Sequence, residues 1–162
     1  MTRAPGYAVA RIALVAGALA GMLDLTAALL QAFFRGRPAL RVLQSIASGW
    51  LGKAAYSAGP ASAALGVVSH FAIATVWAAL YAWTARRSPQ LVRHAWQWGA
   101  AYGLIVYAVM YEVVLPLSAI HHRIARSPQD TMVGLAIHVV CVGWPIALVA
   151  RAHTPRRDIE PE

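Results

Sequence analysis

The chain has 162 residues, enough for one domain, and is 59% hydrophobic but only 12% charged, against roughly 25% charged in a typical soluble domain. That deficit argues against a water-soluble core. The net charge of +8 comes from 14 Lys and Arg that sit beside and between apolar runs, where membrane proteins keep them, so no nucleic-acid partner is expected. A single cysteine, Cys141, excludes an intrachain disulfide and any CxxC redox or zinc motif, and its apolar surroundings read as those of a buried thiol.

Residues 1–11 form a short basic tail. Residues 12–34 form an apolar run of 23 residues with one charge, Asp24, and a spanning helix needs about 20. Ala18 to Ala20 resembles a signal-peptide cleavage site, but the apolar run continues well beyond a signal core of about 7–15 residues. It is read as a retained first span. Gly17, Gly21, Asp24, Ala28 and Gln31 step by three and four and share one helical stripe. A small-and-polar stripe on an apolar helix is expected to face protein rather than lipid.

Arg35, Gly36, Arg37 and Pro38 end that helix, since proline lacks a backbone donor. Residues 39–56 read as an amphipathic helix that is interfacial or re-entrant. Leu40, Leu43, Ile46, Ala47, Trp50, Leu51 and Ala54 follow helical spacing, with Arg41, Gln44, Ser45, Ser48 and Lys53 on the other side. The stretch 49–53, GWLGK, lacks the spacing and the Ser or Thr of a phosphate loop.

A second span is expected at 61–84, carrying His70, and a third at 99–120, carrying Glu112 and Pro116. The loop between them holds arginines and tryptophans, an aromatic belt with its cationic flank. Gly99 and Gly103 form a GxxxG pair, a close-packing motif that offers a contact to a second copy, to a larger membrane complex or to a neighbouring helix. On a 3.6-residue wheel Glu112 lies opposite Gly103, so a second protein-facing side with Ala101 and Ala108 is expected. His121, His122, Arg123 and Arg126 read as solvated loop residues, because adjacent histidines do not share a helix face. Ser127 or Asp130 is positioned to cap the last helix. The fourth span, 132–150, places Thr131, Gly134, His138, Cys141 and Pro145 on one stripe, and a polar, unstructured tail is expected over 152–162.

The expected fold is therefore an all-α integral membrane four-helix bundle with an interfacial or re-entrant amphipathic helix between spans one and two. In that topology Asp24, His70, Glu112 and His138 lie about 9–15 Å from the same membrane face at 1.5 Å per residue. Ionisable residues are costly in a bilayer and usually pair inside the bundle. Three readings of this set stand side by side. The residues bind or pass a proton or divalent metal cation, with Gln31 and Tyr107 assisting. They only hold helices together in a structural or accessory subunit. Or His70 and His138 are axial ligands of a b-type haem. GxSxG and HExxH motifs are missing, so a non-enzyme is favoured.

The segments RVLQSIASG (41–49), YGLIVYAVMYEVVLPLSA (102–119) and HVVCVGWPIAL (138–148) resemble those of a family of small uncharacterised bacterial inner-membrane proteins. The resemblance implies a four-span protein of the bacterial inner membrane and no activity. Eight basic residues fall on the side of the termini and six on the other, which by the positive-inside rule places both termini in the cytoplasm.

Overall fold

The computed structural model describes residues 5–121 and 126–154, with the main chain alone for 5–8. Most of the basic tail's first residues, the loop residues His122 and Arg123, and most of the expected unstructured tail fall outside the described residues.

The described chain is all-helical. Helix α1 (Pro5–Phe34) leads to α2 (Ala39–Leu51), a 3-10 turn (Gly52–Tyr56) and the long α3 (Gly59–Ala85). A short α4 (Pro89–Arg93) precedes α5 (Ala95–Val109), which passes through a π-helical turn (Met110–Val114) into α6 (Leu115–Leu117). Helix α7 (Pro128–Ile137) likewise passes through a π-helical turn (His138–Gly143) into α8 (Trp144–Ala152). Four of these stretches, Val9–Phe34, Gly59–Ala85, Ala95–Leu117 and Pro128–Ala152, are long and apolar enough to cross a bilayer. They pack as a bundle of four spans, and the protein is a multi-pass membrane protein.

Local sequence explains where the helices begin and end. The Arg37 N–H bonds the Ala32 carbonyl and the Gly36 N–H bonds that of Phe33, the two bonds of a Schellman turn. The turn needs a left-handed residue, which Gly36 supplies at φ 64°. Helices α3, α4 and α7 each carry proline in the first turn, where its missing N–H is no loss. The Ser127 hydroxyl accepts from the Asp130 N–H, so of the two expected caps Ser127 is the one used.

The bundle is built on small residues. Its core is dominated by alanines, among them Ala16, Ala20, Ala78, Ala82, Ala147 and Ala150, with Tyr81 and Ile146 wedged between them. Spans one and two meet where Gly17 faces Thr75 and Gly21 faces Phe71, so the glycines of the small stripe in α1 face protein as expected. Spans three and four meet at Gly99, Gly103 and Gly143. A Cβ at Gly103 would lie 2.7 Å from the Val139 Cα, and one at Gly143 would run into the Gly99 carbonyl. The GxxxG groove is thus filled by this chain's own fourth span. The expectation that Gly99 and Gly103 contact a second copy or a larger complex is corrected accordingly, because both are buried inside the bundle.

Helix α2 lies between spans one and two as expected, and the structure sets which of its sides faces the bundle. Gln44, Ala47 and Ser48 are buried, Gln44 to 1% exposure, while Leu40, Trp50 and Leu51 are exposed. Gln44 and Ser48 therefore face inward beside Ala47, while Arg41, Ser45 and Lys53 stay exposed. Gln44 donates to the Gly59 carbonyl at 3.2 Å, and the Trp50 indole donates to the Ser69 hydroxyl at 3.0 Å. Close contact is possible because Gly66 has no side chain to strike the Leu43 carbonyl. Where the surroundings are hydrocarbon, apolar side chains are stable outside and polar ones need protein partners.

Gly143→Leu should unfold the bundle at a markedly lower temperature in detergent. Forcing a side chain against backbone typically costs about 1–3 kcal/mol or more, and the measurement is thermal unfolding followed by circular dichroism. Gly36→Ala, which meets no neighbour, should lose only about 1 kcal/mol from its left-handed backbone.

Candidate functional site

The four ionisable residues of the expected site fall into two groups, one on each helical hairpin. The first joins spans one and two. Asp24 sits three residues beyond Gly21, and the close approach of α1 and α3 there brings His70 alongside. The His70 Nε2 lies 2.9 Å from the Gly21 carbonyl oxygen and 3.9 Å from the Asp24 Oδ2. A carbonyl can only accept, so Nε2 carries a hydrogen and donates it, which leaves Nδ1 as the nitrogen open to a proton or ligand. Both side chains are largely but not fully buried, at 15% exposure for His70 and 20% for Asp24. The His70 ring also stands edge-on to Phe71 at 5.6 Å. Tyr111 and Cys141 lie within electrostatic reach of Asp24, which connects this pair with the second hairpin.

The second group is centred on Arg126, just before α7. Its guanidinium donates to the Tyr107 hydroxyl and, at 3.2 Å, to the Glu112 Oε1. It stacks 3.9 Å from the Tyr111 ring centroid and 5.1 Å from that of Tyr107. The His138 ring stands edge-on to Tyr107 at 5.2 Å and to Tyr111 at 6.3 Å. Its Nδ1–H donates to the Gly134 carbonyl, one turn earlier, at 2.9 Å. Tyr107 fits because Gly134 beneath it has no Cβ. At the same membrane face, Arg35 at the end of α1 pairs with Asp130 at the start of α7.

The expected set of four thus separates. Asp24 and His70 come together. Glu112 joins Arg126 at the surface with its side chain 47% exposed, and His138 packs among tyrosines. Among the described residues no three His, Cys, Asp or Glu side chains stand together to hold a metal ion. The expected buried acid and histidine site of four ligands is therefore not assembled. Nor does Glu112 face protein on a second side of span three, since Ala108 and Glu112 are both exposed. The helical wheel correctly turned Glu112 away from the glycines, but that direction leads outward. For a haem, His70 would have only Nδ1 free, because Nε2 already bonds the Gly21 carbonyl.

No protein-family model, curated protein or solved structure matches the chain.

Two features escaped sequence reading. Arg126 reads as a solvated loop residue in the sequence, yet its side chain is only 18% exposed; the signal is an arginine in the loop that follows the helix carrying Glu112. The π-helical turns carry the second. The Leu115 N–H reaches back to the Met110 carbonyl and the Trp144 N–H to that of Val139, both five residues away. Pro116 and Pro145 follow each turn. A proline cannot bond the carbonyl four residues earlier, here Glu112 and Cys141, and a wider turn relieves the clash.

Arg126→Gln should destabilise the protein more than Glu112→Gln. The arginine combines a hydrogen bond to Tyr107 with stacking on Tyr111, worth about 0.5–2 kcal/mol, whereas an exposed ion pair alone contributes about 0–1 kcal/mol. Thermal unfolding of the two variants in detergent reads the difference.

Proposed function

We propose that this is a small bacterial inner-membrane protein, with both termini in the cytoplasm, whose Asp24–His70 pair takes up and releases a proton within the bilayer. One observation carries the reading: a largely buried carboxylate and imidazole 3.9 Å apart on facing spans. Imidazole is the side chain best suited to exchange protons in the physiological range, and intramembrane acid and histidine pairs recur in proton relays. With Nε2–H held by the Gly21 carbonyl, the exchanging proton enters at Nδ1. It charges the ring, and the Asp24 carboxylate balances that charge; on release the ring returns to its neutral tautomer without moving. The bacterial inner membrane follows from the quoted sequence resemblance, and the orientation from the basic residues, eight on the termini side against six.

The second reading is structural. The His70–Gly21 bond ties spans one and two where they pack together, and the same residues would then serve only to lock that contact.

Proteoliposomes loaded with a pH-sensitive dye separate the two. The proton reading expects protein-dependent pH equilibration that falls on the order of 100-fold in Asp24→Asn and in His70→Gln, with unfolding temperatures near that of the parent protein. Glu112→Gln should keep the flux. Vesicles no leakier than empty ones, or an unchanged flux in Asp24→Asn, would sink it, and a large loss of thermal stability with no flux to lose would establish the structural reading.

A further inference from the structure

The histidines of the bundle make two kinds of bond. His138 and His153, in and next to span four, each hold Nδ1–H on the carbonyl four residues earlier, those of Gly134 and Val149, both at 2.9 Å. Residues four apart are neighbours on a helix, so this bond is within reach of any helical histidine. For His70 that carbonyl belongs to Gly66. His70 does not take it. Its Nε2 crosses to α1 and bonds the Gly21 carbonyl at 2.9 Å, and the Asp24 Oδ2 lies 3.9 Å from the same nitrogen. The two arrangements differ in tautomer: the bond to α1 needs hydrogen on Nε2, the local one needs it on Nδ1. The ring torsion of histidine is soft, so something outside the imidazole decides between them.

The neighbouring side chain is placed to do so. Phe71 points 100° round the helix from His70, and its ring stands edge-on to the imidazole, with 5.6 Å between centroids and 86° between planes. Phe71 is itself seated on Gly21, where a Cβ would lie 2.8 Å from its Cδ1 and 3.0 Å from its Cε1. One glycine of α1 therefore serves two side chains of α3. Its carbonyl takes the His70 N–H, and its bare Cα takes the Phe71 ring. The two contacts are coupled, because displacing Phe71 moves either the ring beside the imidazole or the distance across which His70 must reach.

We infer that Phe71, seated on Gly21, is a positioning residue that holds the His70 imidazole off its own helix and on α1, so that Nδ1 and not Nε2 is the nitrogen that exchanges the proton. Its consequence for proton exchange rests on the proton reading above; the orientation itself rests on the packing of α1 and α3. Without the Phe71 ring, His70 turns to the Gly66 carbonyl as His138 and His153 turn to theirs, and its tautomer reverses. The turn also takes Nε2 from its place beside Asp24.

The test is nitrogen NMR of the imidazoles in the full chain, isotopically labelled at histidine and held in bicelles, with the His70 signals assigned by their loss in His70→Gln. The two neutral tautomers give distinct pairs of nitrogen shifts, and His138 supplies the Nδ1–H reference within each sample. The parent protein should show His70 with hydrogen on Nε2. Phe71→Leu keeps an apolar side chain but no ring, and Gly21→Ala keeps the carbonyl but pushes the ring away. Both should convert His70 to the Nδ1–H form, and proton flux in proteoliposomes should fall several-fold in each. Thermal unfolding shows which variants are folded, and because the two changes act from opposite helices either one decides the matter. A parent His70 with hydrogen on Nδ1, or an Nε2–H tautomer retained in folded Phe71→Leu or Gly21→Ala, would overturn the inference. So would parent-level flux in a variant whose tautomer has reversed. A parent protein without flux would end the proton reading alone, since the tautomers still decide the positioning.

Discussion

Everything in this fold depends on how closely main chains approach inside a bilayer. Lipid tails are as apolar as leucine, so burying leucine between helices contributes little; what remains is close van der Waals packing and the hydrogen bonds it permits. The tight contacts within each hairpin, and that of α2 with span two, are made where a glycine meets a backbone or a ring: Gly17 and Gly21 on α3, Gly66 under α2, and Gly99, Gly103 and Gly143 between the last two spans. The larger apolar side chains, Phe33, Phe34 and Leu117 among them, are left outside for lipid.

The polar residues follow from that closeness. His70 reaches the Gly21 carbonyl because α1 and α3 touch there, and Asp24, one turn along, is carried into range of the same ring. In the second hairpin the contact at Gly103 brings Tyr107 over Gly134 and the His138 ring edge-on to Tyr107. Arg126 then covers the tyrosines and meets Glu112. Each hairpin thus has its own polar group.

The two π-helical turns show how proline is accommodated where water cannot help. In a soluble helix the carbonyl orphaned by proline is readily hydrated; within hydrocarbon it must be satisfied by rearranging the helix itself. The turn that begins with His138 stands at the glycine contact of spans three and four, and the other holds Glu112. The widened turns alter the angular spacing of side chains, so a 3.6-residue wheel loses accuracy beyond them.

How much of this was legible in the amino-acid order depends on the range of the interaction involved. Apolar run length and the small-residue stripe of α1 established four spans and the face that Gly17 and Gly21 turn to protein, because both are properties of consecutive residues. Prolines, glycines and Ser127 marked the helix ends for the same reason. The pairing of faces was not legible: GxxxG at 99–103 fits any partner with a small surface, and the tertiary structure chose Gly143 of the same chain. Helix α2 had a clear amphipathic pattern whose direction stayed open, since a pattern records two faces without saying which solvent lies on either side. The ionisable residues are expected at similar depth, but depth leaves rotation and counter-ions open. Rotation joined Asp24 to His70 and turned Glu112 outward, and a loop arginine supplied the counter-ion that no periodicity could reveal. Sequence alone determined which segments enter the membrane, because that is decided by transfer of each segment from water to hydrocarbon. Tertiary structure decided which polar groups meet, because that is decided by the few contacts at which backbones come close enough to touch.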